Sequence, residues 1–203
     1  NWVIAYFAVI SGGMIVVPIL PDFTSEETKN VLEHAEAKMI FVSEKLQTKI
    51  TDQDLPHLKT IIRLEDFSIL KCETQPVSVE LKSVEVQEED TAAIIYTSGT
   101  TGRSKGVVLT HQNIMHVVNA SVDLCAISHQ DVFLSFLPLS HTYENSLGML
   151  YPIRHGASIY YLEKPPTAAL LLPALKKITP TVRLSFPLIM EKIYKAQIQA
   201  KFA

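Results

Sequence analysis

A chain of 203 residues has room for one large domain or two small ones, and with 47% hydrophobic and 19% charged residues it can fill a globular core. The formal net charge is −3 with no basic run, which argues against nucleic acid as a partner. Cys72 and Cys125 lack metal-ligand spacing and the seven histidines show no H-E-x-x-H pattern, so no zinc site is expected and a reduced, cytosolic compartment is the simplest setting.

Trp2 to Leu20 is uncharged and mostly apolar, long enough for a membrane span by hydropathy alone. Ser11-Gly12-Gly13 interrupts it and Pro18 and Pro21 stop any helix, so the better reading is a buried helix over 2–11. Gly12 or Gly13 is then a left-handed cap, and Met14–Val17 a buried strand. Thr24 or Ser25 caps the next helix, with Glu26 and Glu27 in its first turn and Thr28, Val31, Leu32 and Ala35 along one face. Lys38–Val42 reads as a buried strand, Ser43 opens a short helix, and Thr60–Leu64 is another strand. Residues 65–90 are polar, a solvated connection with room for one strand.

Residues 96–107 read Tyr-Thr-Ser-Gly-Thr-Thr-Gly-Arg-Ser-Lys-Gly-Val and hold Gly99, Gly102 and Gly106, three of the seven glycines in the chain. Such glycines let a backbone approach a ligand, and successive amide groups can turn inward around an anion. Ser98, Thr100, Thr101 and Ser104 add hydroxyl donors, and Arg103 and Lys105 add positive charge suited to a polyphosphate. The Walker A spacing fails, because Gly106 follows Lys105 and Ser104 precedes it. The flanks Ala92–Tyr96 and Val107–Leu109 are short apolar runs, predicting strand, loop, strand.

Thr110 is a helix N-cap, and Ile114, Val117, Val118, Val122 and Cys125 follow helical spacing, predicting an apolar stripe. His111 and His116, about 140° apart around that helix, read as solvent-facing rather than chelating. Val132–Phe136 is a strand, and Leu137-Pro138-Leu139-Ser140-His141 is the turn that leaves it. Turns at the carboxyl ends of strands line ligand sites in α/β sheets. A helix from Thr142 is predicted to end near His155-Gly156, disturbed by Pro152. Ser158–Leu162 is a strand, and a helix to about Ile178 contains Pro173. Val182–Phe186 is a strand, and Pro187 opens a last helix with Glu191-Lys192-Ile193-Tyr194. Alternating helices and apolar strands predict an α/β fold with largely parallel sheets flanked by helices.

The 96–107 segment resembles the signature loop of the adenylate-forming superfamily, which includes acyl-CoA synthetases, luciferases and peptide-synthetase adenylation domains; members usually carry Pro where this chain has Ser104. The opening residues, with a small-residue break and a Val-Pro strand, resemble the start of the family's nucleotide domain. Leu137–His141 with Glu144 resembles a second motif in its long-chain form, Leu-Pro-Leu-Ser-His-x-x-Glu. Long-chain synthetases usually have Arg where Leu188 stands, before their Glu-Lys pair.

The resemblance implies that 1–203 is part of the large N-terminal domain of such an enzyme. The central Tyr-Gly-x-Thr-Glu loop, the ribose-binding Asp, the hinge and the small C-terminal domain with its catalytic Lys are absent, so this chain alone is expected to be inactive. It further implies ATP, Mg²⁺ and coenzyme A, with a long-chain fatty acid as the activated carboxylate. Thr97, Ser98, Gly99, Thr100, Thr101, Gly102, Lys105 and Gly106 are then nucleotide-binding, Thr97 also a Mg²⁺ ligand, and Lys105 and His141 catalytic. His141 would gate the acyl pocket. Peripheral membrane contact is compatible with that substrate. An adenylate-former for another carboxylate, a non-catalytic nucleotide-binding remnant and, remotely, a transporter-like membrane protein are the alternatives.

Overall fold

The computed structural model describes residues 1–51, 54–73, 84–97, 105–162, 166–187 and 191. It is mixed α/β, and the chain divides into two compact units, 1–113 and 114–203.

In the first unit, α1 (Trp2–Ser11) ends as a Schellman motif: Met14 N–H donates to the Val9 carbonyl, Gly13 N–H to that of Ile10, and Gly13 is the residue with positive φ. The helix is less buried than its sequence suggests. It is apolar all round, so packing one side encloses Ala5 and Tyr6 and leaves Ile4 exposed. The predicted 14–17 strand reduces to a single parallel bridge from Val16 to Ala93, with Met14 and Ile15 exposed. Pro18 has no N–H with which to carry a ladder onward. At ten residues, α1 is about half the length that crosses a bilayer, and among the described residues no helix is long and apolar enough to do so.

Helix α2 (Ser25–His34) opens with a full capping box. Glu27 N–H donates to Thr24 Oγ1, and Thr24 N–H donates to the Glu27 carboxylate. Its Thr28, Val31 and Leu32 are buried as expected. Strand β1 (Met39–Val42) runs parallel to β2 (Thr60–Arg63), which pairs antiparallel with β3 (Ile69–Cys72), the one strand expected within 65–90. A 3₁₀ turn (Glu44–Leu46) and α3 (Thr48–Thr51) connect β1 and β2. Leu32, Val42, Ile50, Leu55, Leu58 and Ile61 form the core beneath. Of the predicted buried strand, only Val42 is fully enclosed. The antiparallel pair β4 (Thr91–Thr97) and β5 (Lys105–Thr110) is the hairpin the loop flanks predict.

Thr110 caps α4 (His111–Ala120) through reciprocal bonds with Asn113. The predicted stripe fails beyond Val118. Ser121 Oγ donates back to the Val117 carbonyl, and the chain tightens into a 3₁₀ turn at Ser121–Asp123. Val122 and Cys125 therefore lie off the helix and are exposed, and Val117 faces solvent. His116 is exposed as expected, while His111 is half-buried.

In the second unit, β6 (Val132–Ser135) and β7 (Ser158–Tyr161) pair in parallel. The predicted strand at 182–186 is a single parallel bridge from Val182 to Phe133, although β6 runs on to Ser135. Leu184 and Phe186 instead pack their side chains against Leu134, Phe136, Leu137 and Leu171, the last on α6 (Ala168–Ile178). The helix predicted from Thr142 forms, but Glu144–Leu150 is a π-helix that passes into α5 (Tyr151–Arg154). Tyr151 N–H donates to the Ser146 carbonyl, five residues back, and the buried Pro152 has no N–H to restore the tighter register. Pro187 and Glu191 are helical, and the remainder of the last predicted helix lies outside the described residues.

Candidate functional site

The hairpin stands on a packed base. On β4, Ala92, Ala93 and Tyr96 are buried, with β5 on one edge and the Val16 bridge on the other. Tyr96 Oη and His34 Nδ1, at the end of α2, lie 2.6 Å apart in a hydrogen bond. Their rings also meet edge to face. Burial raises the Tyr96 phenol above its ordinary value. The strand leading into the loop is thus fixed by side chains as well as by its ladder.

Gly106 faces Tyr96 across the hairpin. A Cβ there would come 2.9 Å from Ile94 Cγ2 and 3.3 Å from Tyr96 Cζ, so the missing side chain makes room for the aromatic ring. Sequence reasoning assigned this glycine to ligand approach; its place opposite Tyr96 is a second reason for the missing Cβ.

Thr97 closes β4, Lys105 opens β5, and the two are paired across the hairpin. Both are exposed. Among the described residues no carboxylate pairs with Lys105. A hydroxyl and a cation therefore flank the mouth of the seven-residue connection 98–104. Of the predicted site residues, Ser98, Gly99, Thr100, Thr101 and Gly102 lie outside the described residues. Among the described residues no group of three or more His, Cys, Asp or Glu could hold a metal ion.

The second unit carries His141. Its N–H donates to the Pro138 carbonyl and its own carbonyl accepts from Asn145 N–H, so the residue sits where turn becomes helix. Tyr143 N–H donates to His141 Nδ1 at 3.2 Å. A ring nitrogen that accepts must hold a lone pair, which places the neutral ring's proton on Nε2. The ring meets Phe186 edge to face at 5.9 Å, and Tyr143 stacks on the same Phe186 at 6.1 Å. His141, Tyr143 and Phe186 form one aromatic cluster.

Beneath that turn lies the last residue of the Leu-Pro-Leu-Ser-His-x-x-Glu motif, to which the sequence assigned no role. Glu144 is 1% exposed, and its Oε1 accepts a hydrogen bond from Ser135 Oγ at the end of β6. Its Oε2 is buried without a partner among the described residues. Burial pushes the carboxyl up to about 7, against the opposing effect of the Ser135 bond. The signal available in the sequence was Gly148, one helical turn on: a Cβ there would come 2.6 Å from Glu144 Cδ.

Comparison with known proteins agrees with this architecture. The sequence profile of the family described as AMP-binding enzyme matches residues 1–203. The long-chain-fatty-acid–CoA ligase ACSBG2 of Homo sapiens is 29% identical over 213 residues, covering 96% of this chain and 32% of that protein. The chain thus spans about a third of the length of the curated relatives it matches. Among solved structures, ATP-bound MatB from Rhodopseudomonas palustris superposes with a TM-score of 0.78 at 20% identity, covering 97% of this chain and 39% of that one. The anthranilate CoA ligase AuaEII in complex with anthranoyl-AMP gives a TM-score of 0.82 at 20% identity, with 98% and 40% covered.

Proposed function

Since the chain belongs to the AMP-binding enzyme family, we propose that the protein activates a long-chain fatty acid with ATP, first to an acyl-adenylate and then to acyl-CoA. The observation that carries this reading is the hairpin mouth, where Thr97 is paired across the hairpin with Lys105, which has no carboxylate partner among the described residues, at the two ends of a Gly-, Ser- and Thr-rich connection. In the first half-reaction a carboxylate oxygen bonds to the α-phosphorus of ATP and the bond to pyrophosphate breaks. In the second, the coenzyme A thiol bonds to the acyl carbon, AMP leaves, and the thiol proton passes to solvent.

Lys105 is suited to the charge that grows on departing pyrophosphate, as are the amide and hydroxyl donors of 98–102. Thr97 is the residue of this chain that would ligate Mg²⁺, which when bound supplies charge compensation on the phosphate oxygens. The glycines Gly99 and Gly102 would allow close backbone approach, and Gly106 would act indirectly by seating Tyr96. His141, held with Phe186 and Tyr143, would close one side of the acyl channel.

Long-chain acids are favoured over other carboxylates by the Leu-Pro-Leu-Ser-His-x-x-Glu turn and by the names of the curated relatives. Activation of an aromatic acid is the second reading, favoured by the likeness to the anthranilate ligase. A cytoplasmic setting, with peripheral membrane contact for delivery of the acid, belongs to the same proposal.

Lys105→Ala in the full-length protein tests the reading. Single-turnover adenylation of palmitate is expected to fall roughly 10²-fold, with fatty acid binding little changed, because the interaction lost is one that strengthens in the transition state. An adenylation rate equal to wild type would remove Lys105 from the phosphate site. A rate loss seen only with aromatic acids would favour the second reading.

A further inference from the structure

The turn that carries His141 is bracketed by buried polar side chains to which the proposed chemistry gives no task. At its outer bracket, Ser135 Oγ donates to Glu144 Oε1, joining the last residue of β6 to the first of the π-helix. Inside this, Asn145 Nδ2 donates to the Leu139 carbonyl at 3.3 Å, and His141 N–H to that of Pro138. Ser135, Ser140, Glu144 and Asn145 are all buried. The nine-residue separation from Ser135 to Glu144 is therefore closed from within, and His141 lies on the closed segment.

The carboxyl is an expensive way to fill this space. An apolar side chain would bury there without an unpartnered oxygen, whereas Glu144 leaves Oε2 unbonded among the described residues and requires glycine at 148 to fit. What the polar link adds is a fixed distance between strand end and helix start. The titratable neighbour facing it is Tyr161 on β7, raised to about 12 by burial and by the Glu144 charge.

We propose that Glu144 is a positioning residue for His141: by its bond to Ser135 it closes the 135–144 segment and so sets the place of the imidazole that selects the acyl chain. The link from imidazole to acyl chain rests on the function proposed above; the link from Glu144 to the imidazole does not.

The test uses the full-length protein with Glu144→Gln, Glu144→Ala and Ser135→Ala. One readout is the ratio of adenylation rates for a short and a long fatty acid. The other is the ¹⁵N shift of the His141 ring in histidine-labelled protein, which reports the Nε2–H tautomer and its bond from Tyr143. Gln keeps the shape and a hydrogen bond to Ser135, so both readouts should stay within about twofold, or unshifted, relative to wild type. Glu144→Ala and Ser135→Ala should move the rate ratio by roughly tenfold, since a small misplacement of an orienting group costs up to about 10²-fold, and should shift the His141 signal. Where Glu144→Ala does not fold, Ser135→Ala decides, because it deletes a single oxygen. Unchanged ratio and unchanged His141 signal in folded Ser135→Ala would overturn the proposal. If wild type activates no fatty acid, the function fails, and the His141 signal alone still supports or overturns the positioning role.

Discussion

His141 shows how one side chain can be held by the backbone on one side and by rings on the other. The Tyr143 N–H fixes Nδ1, and Phe186 meets the ring face while also stacking on Tyr143. Truncation to alanine removes the imidazole but leaves Tyr143 on Phe186 and every backbone bond of the turn. His141→Ala in the full-length protein is therefore expected to lower the melting temperature by no more than a few degrees while changing the ratio of adenylation rates for two chain lengths. Parallel melting curves and rate ratios check this. Lost stability with an unchanged ratio would make His141 a packing residue. The residue types at the hairpin mouth mark it in the sequence as a candidate phosphate loop, because glycines, hydroxyls and a lysine in one loop have few other uses. Not legible there was the packing of Gly106 against Tyr96, since that ring comes from the opposite strand.

Among the elements, the π-helix at Glu144–Leu150 carries the strongest coupling between structure and pH. Glu144 titrates near 4.5 when exposed in the unfolded chain and at about 7 in the fold, so the native state binds its proton more tightly. The stability this supplies is fully present below about pH 4.5 and is lost as pH rises through 7, a difference on the order of 3 kcal/mol. The opposing carboxylates act in a different window. Glu73 is held at about 2 by Lys59 and Lys71, and Asp66 is held low by Arg63 and Ser68, so their contributions fade only in acid. Between pH 5 and 8 the urea midpoint should fall for wild type and stay level for Glu144→Gln, which should be the more stable of the two at pH 8. A wild-type midpoint independent of pH over that range would show the carboxyl to be solvated.

The capping box of α2, the Schellman end of α1 and the hairpin could be read locally, because each rests on contacts within a few residues. The helical stripe beyond Val118 and the strand at 182–186 could not. The first was cut short by Ser121 bonding back to Val117, a local contact that apolar spacing does not register, and the second pairs with β6 only at Val182 while Leu184 and Phe186 turn to side-chain packing with distant residues.

Over the whole molecule, apolar pattern and burial part company. Ile4, Met14, Val108 and Val122 belong to apolar runs or stripes, yet all are exposed. Periodicity marks which face of an element is apolar, and what covers that face is decided by residues far away in sequence. The same distinction applies to catalysis. The signature loop and the His141 turn are present in these 203 residues, but by family resemblance the carboxylate that would complete a Mg²⁺ site with Thr97 belongs to a Tyr-Gly-x-Thr-Glu loop, which is absent from this sequence. Phosphate donors without that carboxylate can bind a nucleotide but leave the metal weakly placed at the moment pyrophosphate departs. The 203-residue chain on its own is therefore expected to give no ATP–pyrophosphate exchange with palmitate above a Lys105→Ala control. Exchange above that control would mean that a carboxylate within this chain completes the metal site.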